Sequence, residues 1–133
     1  MEKKDYFKRD CDGNIFVGTH VLLDIRNCAA GSLDSCEVME QVFKQAVEVG
    51  KANLLHINLH KFEPNGVTGV AILSESHISV HTWPEKSFAS FDIFMCGDSD
   101  PEAAARYITD YFKPEFYDLH VISRGQKLMA DNK

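Results

Sequence analysis

The sequence lacks several features that would assign the chain to a specialised class. No apolar run is long enough to cross a bilayer, and the charged start MEKKDYFKRD is not followed by the apolar stretch of a secretory signal. The four cysteines (Cys11, Cys28, Cys36 and Cys96) form no Cys-x-x-Cys pair, so neither a zinc ribbon nor a thioredoxin-type site is supported. Lys and Arg number 14 against 20 Asp and Glu, which disfavours a nucleic-acid-binding surface. We therefore expect one cytoplasmic domain of 133 residues, with free thiols and no membrane or nucleic-acid partner.

The periodicity of apolar residues predicts two helices and six strands in the order βαββββαβ. The first helical segment is predicted at 32–50, with Ser32 or Asp34 as its N-cap and Gly50 at the C′ position, and the second helix opens at Pro101. Residues 1–13 are predicted to form an irregular polar arm. The predicted strands are 15–25, 54–62, 67–73, 78–83, 88–96 and 116–123. We expect an α+β fold, in which a largely antiparallel β-sheet carries both helices on one face as a two-layer sandwich.

Two polar turns divide the segment 67–96 into a three-stranded meander, and they set which residues pair. With residues 74–77 as the first turn, Leu73 pairs with Ile78; with residues 84–87 as the second, Val80 pairs with Phe91. Alternation then gives one core face and one mixed polar and aromatic face, which suits contact with a ligand or a partner. The predicted core face carries Val67, Ala71, Leu73, Ile78, Val80, Phe91, Ile93 and Met95. The predicted open face carries Thr68, Val70, Ile72, Ser79, His81, Trp83, Ser90, Asp92, Phe94 and Cys96.

The same register sorts the reactive side chains into two groups. Ser76 lies in the first turn and Cys96 falls opposite Glu75, whereas Thr68 and His81 are diagonal neighbours near the other end. Five residues separate Ser76 from His81, or about 16 Å along an extended strand, so the two groups do not meet within one chain. Face-to-face antiparallel pairing of two copies would bring the groups together, and a two-fold axis would create two equivalent sites. The pattern therefore predicts a homodimer.

The motif LSESHISVHTWPE, with GVTGV before it and FMCGD after it, resembles the prokaryotic S-adenosylmethionine decarboxylases. The similarity runs from about Phe16 to Val121. These are small pyruvoyl-dependent enzymes, and the resemblance implies self-cleavage between Glu75 and Ser76. The Ser76 hydroxyl attacks the Glu75 carbonyl to give an ester, β-elimination cuts the chain, and hydrolysis leaves a pyruvoyl group at residue 76. The single domain would then consist of a β chain, 1–75, and an α chain, 76–133.

The resemblance also implies a role for the other site residues. The pyruvoyl group is the only cofactor implied, with no metal; its ketone forms a Schiff base with the substrate amine and withdraws electrons as carbon dioxide leaves. Cys96 corresponds to the thiol that reprotonates the substrate. His81 corresponds to the histidine that removes the α-proton during self-cleavage, and Thr68 stands beside it where the family usually has serine. The implied substrate contacts are adenine stacking by Phe62 and Phe16, ribose binding by Glu85 and a backbone contact to adenine from Leu73.

The expected reaction is the decarboxylation of S-adenosylmethionine, which makes the aminopropyl donor for spermidine biosynthesis. One alternative is the same pyruvoyl chemistry on ornithine or arginine, against which Phe62 and Glu85 argue. Another is a non-catalytic partner subunit, although such proteins tend to lose the serine or the thiol and both are present here. A metal site built on His56 and His60 would need a further cysteine or carboxylate ligand, and none is predicted.

Overall fold

The computed structural model describes residues 7–127, apart from the side chain of Ala30. The helices are α1 (Cys36–Val49) and α2 (Pro101–Phe112), with single 3-10 turns at Ala30–Leu33 and Pro84–Lys86. The strands are β1 (Lys8–Arg9), β2 (Ile15–Phe16), β3 (Gly18–Arg26), β4 (Leu54–Lys61), β5 (Val67–Leu73), β6 (Ser76–Trp83), β7 (Phe88–Cys96) and β8 (Phe116–Arg124). Six of them form one antiparallel sheet in the order β4-β5-β6-β7-β3-β8, and β1 pairs with β2 separately.

The hydrophobic core lies between the large sheet and the two helices. Both helices contact strands of the sheet and each other. Every residue of the predicted core face is at most 3% exposed, including the large side chains Phe91 and Ile93. Each side chain buried this completely contributes roughly 1.5–3 kcal/mol of transfer free energy. The predicted α+β two-layer architecture is confirmed, and no helix in residues 7–127 has the length and apolarity to span a bilayer.

The first helix begins and ends differently from the prediction. Ser35, not Ser32 or Asp34, is its N-cap, and its hydroxyl accepts a hydrogen bond at 3.1 Å from the backbone N–H three residues further on. The preceding 3-10 turn, Ala30–Leu33, takes up Ser32 and Leu33, which were expected to begin the helix. At the other end Gly50 keeps a right-handed conformation, and Lys51 takes the left-handed one with a φ of 59°.

The hairpin of β5 and β6 differs from the predicted register by two residues. Leu73 pairs with Ser76, so the turn contains only Ser74 and Glu75. The hairpin of β6 and β7 has the predicted pairing of Val80 with Phe91. A shift of two residues leaves each side chain on the same face of a strand, which is why the predicted core face is correct although the first register is wrong.

The N-terminal segment contains more regular structure than predicted. Within the expected irregular arm, Lys8–Arg9 pairs with Ile15–Phe16 to form a short hairpin; residues 1–6 of that arm lie outside the described part of the chain. The predicted first strand is interrupted where β2 ends and β3 begins at Gly18. A Cβ atom at Gly18 would lie 2.6 Å from the Met95 carbonyl oxygen, so glycine permits this close approach of the strands.

Candidate active site

The prediction that Ser76 lies within the turn is wrong: Ser76 is the first residue of β6. Its φ of 152° is uncommon for a residue that has a Cβ atom. Such conformations cost roughly 1–3 kcal/mol and persist where the surrounding structure enforces them, often at functional sites. The backbone is therefore strained at Ser76, immediately after the peptide bond to Glu75.

Two donors from Cys96 point at the carbonyl oxygen of Glu75. The Cys96 backbone N–H donates to this oxygen at 3.3 Å, and the Cys96 thiol donates to it with Sγ at 3.0 Å. This is the carbonyl that the neighbouring Ser76 hydroxyl would attack, and its oxygen would become negatively charged during the attack. Preorganised donors at such an oxygen stabilise the developing charge, so the pair has the arrangement of an oxyanion hole.

The Glu75 side chain is anchored on the other side of the turn. It is 5% exposed, and its two carboxylate oxygens accept hydrogen bonds from the backbone N–H of Asn53 at 2.9 Å and from its side-chain amide at 2.8 Å. These bonds compensate the cost of burying the carboxylate and fix the acyl side of the Glu75–Ser76 link. Sequence reasoning missed Asn53, because a residue in the loop before β4 carries no signal that it will face a turn 22 positions later.

The environment of Cys96 favours the protonated thiol. Burial raises the pKa of Cys96, and the Glu75 carboxylate raises it further, while the positive charge of Lys8 and hydrogen bonds from the backbone and Ser76 act in the opposite direction. The net direction is upward from the ordinary thiol value. Near neutral pH the group therefore carries its proton and can donate it.

Thr68 and His81 are paired directly, not diagonally as predicted, because of the two-residue shift in the hairpin register. Thr68 Oγ1 and His81 Nδ1 lie 3.0 Å apart, within hydrogen-bonding distance. The pair lies on the open face, five residues along β6 from Ser76, which corresponds to about 16 Å. An open cavity of about 490 Å³ lies beside the pair, and besides the pair itself it is lined by Asn58, Leu59, His60, Gly69, Val70 and Ser79.

The four predicted substrate-binding residues divide between the same two ends of the sheet. Phe62 follows β4 close to Thr68 and is 45% exposed, and Glu85 is exposed in the 3-10 turn that follows β6. Leu73 pairs with Ser76. Phe16 lies two residues before Gly18, which pairs with Cys96. One end therefore carries Leu73, Ser76, Cys96 and Phe16, and the other carries Thr68, His81, Phe62 and Glu85.

A network that sequence reasoning did not identify lies between these ends on the open face. Asp92 accepts hydrogen bonds from His20 Nε2, from His77 Nε2 at 3.4 Å and from Ser79 at 3.1 Å, and Arg124 donates to His20 Nδ1 at 3.2 Å. Burial would raise the pKa of Asp92, but its histidine and serine partners outweigh burial and lower it.

The potential ligand atoms of His20, His77 and Asp92 lie within 4.8 Å of one another. Because Arg124 and Asp92 already bind both nitrogens of His20, we interpret the group as a hydrogen-bonded network.

Together these features define a class: a two-layer α+β protein whose candidate site joins a strained serine, the carbonyl before it and a facing thiol. A family model described as S-adenosylmethionine decarboxylase matches residues 19–125. This match covers most of the chain, which therefore belongs to the S-adenosylmethionine decarboxylase family.

Individual relatives agree with the family match. Proteins named S-adenosylmethionine decarboxylase proenzyme from Methanococcus aeolicus and Thermodesulfovibrio yellowstonii are 44% and 36% identical over 110 residues. That alignment covers 82% of this chain in both cases, with 94% and 82% of the respective relatives. The crystal structure of the adenosylmethionine decarboxylase from Aquifex aeolicus is similar with a TM-score of 0.82 and 34% identity, over 89% of this chain and 98% of that chain.

Proposed function

We propose that this chain is a self-cleaving proenzyme that decarboxylates S-adenosylmethionine. The observation that carries the proposal is the Glu75 carbonyl held by two Cys96 donors next to the strained Ser76. The relatives named above carry the same activity in their names, which favours this substrate over ornithine or arginine. Decarboxylation yields the aminopropyl donor for spermidine synthesis.

Self-cleavage begins with attack of the Ser76 hydroxyl on the Glu75 carbonyl carbon. The Cys96 donors stabilise the oxyanion, the C–N bond breaks, and the acyl group is now attached to the serine oxygen as an ester, with a free amine at residue 76. Removal of the α-proton of residue 76 then expels the Glu75 carboxylate and leaves an enamine. After tautomerisation, water adds to the resulting imine and ammonia leaves, which produces the pyruvoyl group. Residues 1–75 and 76–133 become separate chains.

Removal of the α-proton of residue 76 is assigned to His81 of a second copy of the chain. Thr68 bonds to His81 Nδ1, which orients the ring and leaves Nε2 to take the proton. In one copy this pair lies about 16 Å from Ser76, too far for proton transfer. Antiparallel stacking of two open faces would bring the end that carries Ser76 against the partner's end that carries Thr68 and His81. We therefore propose a homodimer with two shared sites.

The residues around position 76 fit a pyruvoyl group. The group is made from the chain's own atoms at the start of β6, next to the Cys96 thiol, so no separate binding pocket is required. When formed, it supplies an electron-withdrawing ketone that captures the substrate amine and assists loss of carbon dioxide. The thiol of Cys96, kept protonated by burial, then donates its proton to the substrate carbon.

The substrate nucleoside would be held from both sides of the dimer. Phe16 and the Leu73 backbone belong to the end that carries residue 76, and Phe62 and Glu85 belong to the partner's end. The half-exposed ring of Phe62 is available for stacking on adenine, and the exposed Glu85 carboxylate can accept hydrogen bonds from the ribose hydroxyls.

The test combines the intact mass of the protein with release of labelled carbon dioxide. Under denaturing conditions we expect two fragments cut between Glu75 and Ser76, with a pyruvoyl N-terminus on the second. Carboxyl-labelled S-adenosylmethionine should release carbon dioxide, and the Ser76→Ala variant should remain uncut and inactive. A single uncut chain that is nevertheless active, or release from ornithine or arginine alone, would overturn the proposal.

A further inference from the structure

Lys8 lies in β1, ahead of the part of the chain that matches the family model. Its Nζ donates hydrogen bonds to the carbonyl oxygens of Gly97 at 2.7 Å and Ser99 at 2.5 Å. These two residues form the turn that directly follows Cys96 at the end of β7, and both are buried. The Lys8 ammonium therefore satisfies two carbonyl groups of the turn that follows the candidate thiol in the chain.

The hairpin of β1 and β2 fixes Lys8 at this place. Lys8 pairs with Phe16, and two residues later Gly18 pairs with Cys96 in the large sheet. The chain thus leaves the hairpin and enters the sheet directly beside the thiol.

The charge of Lys8 and the protonation of Cys96 influence each other. Burial lowers the pKa of Lys8, and Asp100, Cys96 and Asp98 oppose that shift. In turn Lys8 opposes the upward shift of the Cys96 pKa that burial and Glu75 cause. Two charged groups thus act on the thiol: Lys8 from the first hairpin, and Glu75 from the turn between β5 and β6.

We propose that Lys8 is a positioning residue for Cys96: it fixes the turn that directly follows Cys96 in the chain and holds a positive charge near the thiol. The thiol would otherwise be too weak an acid to deliver its proton quickly, because proton transfer is fastest from a donor whose pKa lies near the working pH. This consequence rests on the proposed function, whereas the effect on the thiol itself does not. The N-terminal hairpin is thereby part of the active site.

The test is the pH dependence of alkylation of Cys96 by iodoacetamide, followed by peptide mass spectrometry to separate it from the other three cysteines. It uses the full-length chain, both as wild type and with Ser76→Ala. We expect Lys8→Gln to move the alkylation midpoint upward by about one pH unit, since a neighbouring opposite charge lowers a pKa by about that much or more. Lys8→Arg should keep the wild-type midpoint. Lys44→Gln, which removes an exposed lysine of α1 paired with Glu40, is the matched control and should also leave it unchanged.

Two results would overturn the proposal. One is an unchanged midpoint in Lys8→Gln, even if activity falls, because a merely structural contact would give that pattern. The other is an equal shift in Lys8→Arg, which would show that the charge is not the cause. Circular dichroism checks folding, and Lys8→Met, which keeps the apolar stem, replaces the Gln variant if that one does not fold. Because alkylation needs neither cleavage nor turnover, failure here is separate from failure of the proposed decarboxylase.

Discussion

At the scale of single residues, the proposed mechanism gives the Cys96 thiol two tasks and the Cys96 backbone N–H only the first of them. Its backbone N–H and its thiol both donate to the Glu75 carbonyl, where they can assist self-cleavage. In the proposed mature enzyme that carbonyl belongs to a separated chain end, and the same thiol is free to protonate the substrate. The two tasks can be separated because side-chain substitution removes the thiol and leaves the backbone donor.

Substitution of Cys96 should therefore affect cleavage and turnover unequally. Cys96→Ala is expected to slow self-cleavage by about 100-fold or more, since one of two oxyanion donors is lost. Cys96→Ser should restore cleavage, because a hydroxyl can donate the same hydrogen bond, but it should leave turnover low since a hydroxyl is a far weaker acid. The measurements are a gel time course and carbon dioxide release from fully cut protein. Equal loss of both activities in both variants would contradict the division of tasks.

Loss of the Thr68 hydroxyl should slow self-cleavage more than loss of the Thr68 methyl group does. Thr68→Ala removes the bond to His81 Nδ1, and loss of a group that orients a catalytic histidine is expected to slow cleavage by about tenfold or more. Thr68→Ser keeps the hydroxyl with freer rotamers and should cleave at least as fast as the wild type. The cut fraction over time measures this, with Thr109→Ala, which removes a threonine hydroxyl from α2, as the control. Rapid cleavage by Thr68→Ala would remove Thr68 from the mechanism.

At the scale of elements, the N-cap of α1 offers a test of local stability. Ser35→Ala leaves the N–H of Val38 without its acceptor, which is expected to cost about 1 kcal/mol. For a domain of this size the midpoint of thermal unfolding should fall by about 3–5 °C. Circular dichroism of the uncut Ser76→Ala chain measures this without the complication of two fragments. Gln41→Ala, at an exposed position inside the same helix, should change it little, and an equal loss there would argue against the cap.

The first hairpin of the meander shows what the sequence could and could not predict. The core face followed from alternation, and both candidate registers satisfy it because they differ by two residues. The choice between them depends on Glu75, whose carboxylate is buried against Asn53 in a two-residue turn. Alternation along strands carries no information about such a partner in another loop. The direct pairing of Thr68 with His81 follows from the same choice.

Candidate residues from the resemblance were predictable, while the contacts that orient them were not. Ser76, Cys96 and His81 lie in or beside a long motif, so they can be identified from the sequence alone. Lys8 is some 90 residues from the turn it binds, and its contact depends on the packing of a short hairpin against the sheet. Long-range contacts of this kind are set by the tertiary fold and leave no periodic trace in the sequence.

At the scale of the whole molecule, the candidate site residues lie at opposite ends of the large sheet, and Thr68, His81 and Cys96 belong to its open face. That face is not covered by either helix, and it exposes Ile72 and Trp83 to about two-fifths. Both properties suit burial against an identical face. A dimer with antiparallel faces would join unlike ends, so that each complete site would contain residues from both copies.

Pairing two defective chains tests this arrangement. Neither Ser76→Ala nor His81→Ala should cleave alone, because every site of either homodimer lacks one required group. In a mixed dimer, made by coexpression with two different affinity tags, one site would combine Ser76 from the His81→Ala chain with His81 from the Ser76→Ala chain, while the other would lack both. We therefore expect the His81→Ala chain to be cut only in the mixed dimer, as seen by mass spectrometry after tandem purification. If a mixed dimer is isolated and both chains stay intact, or if His81→Ala cleaves at the wild-type rate by itself, the site is not shared between copies.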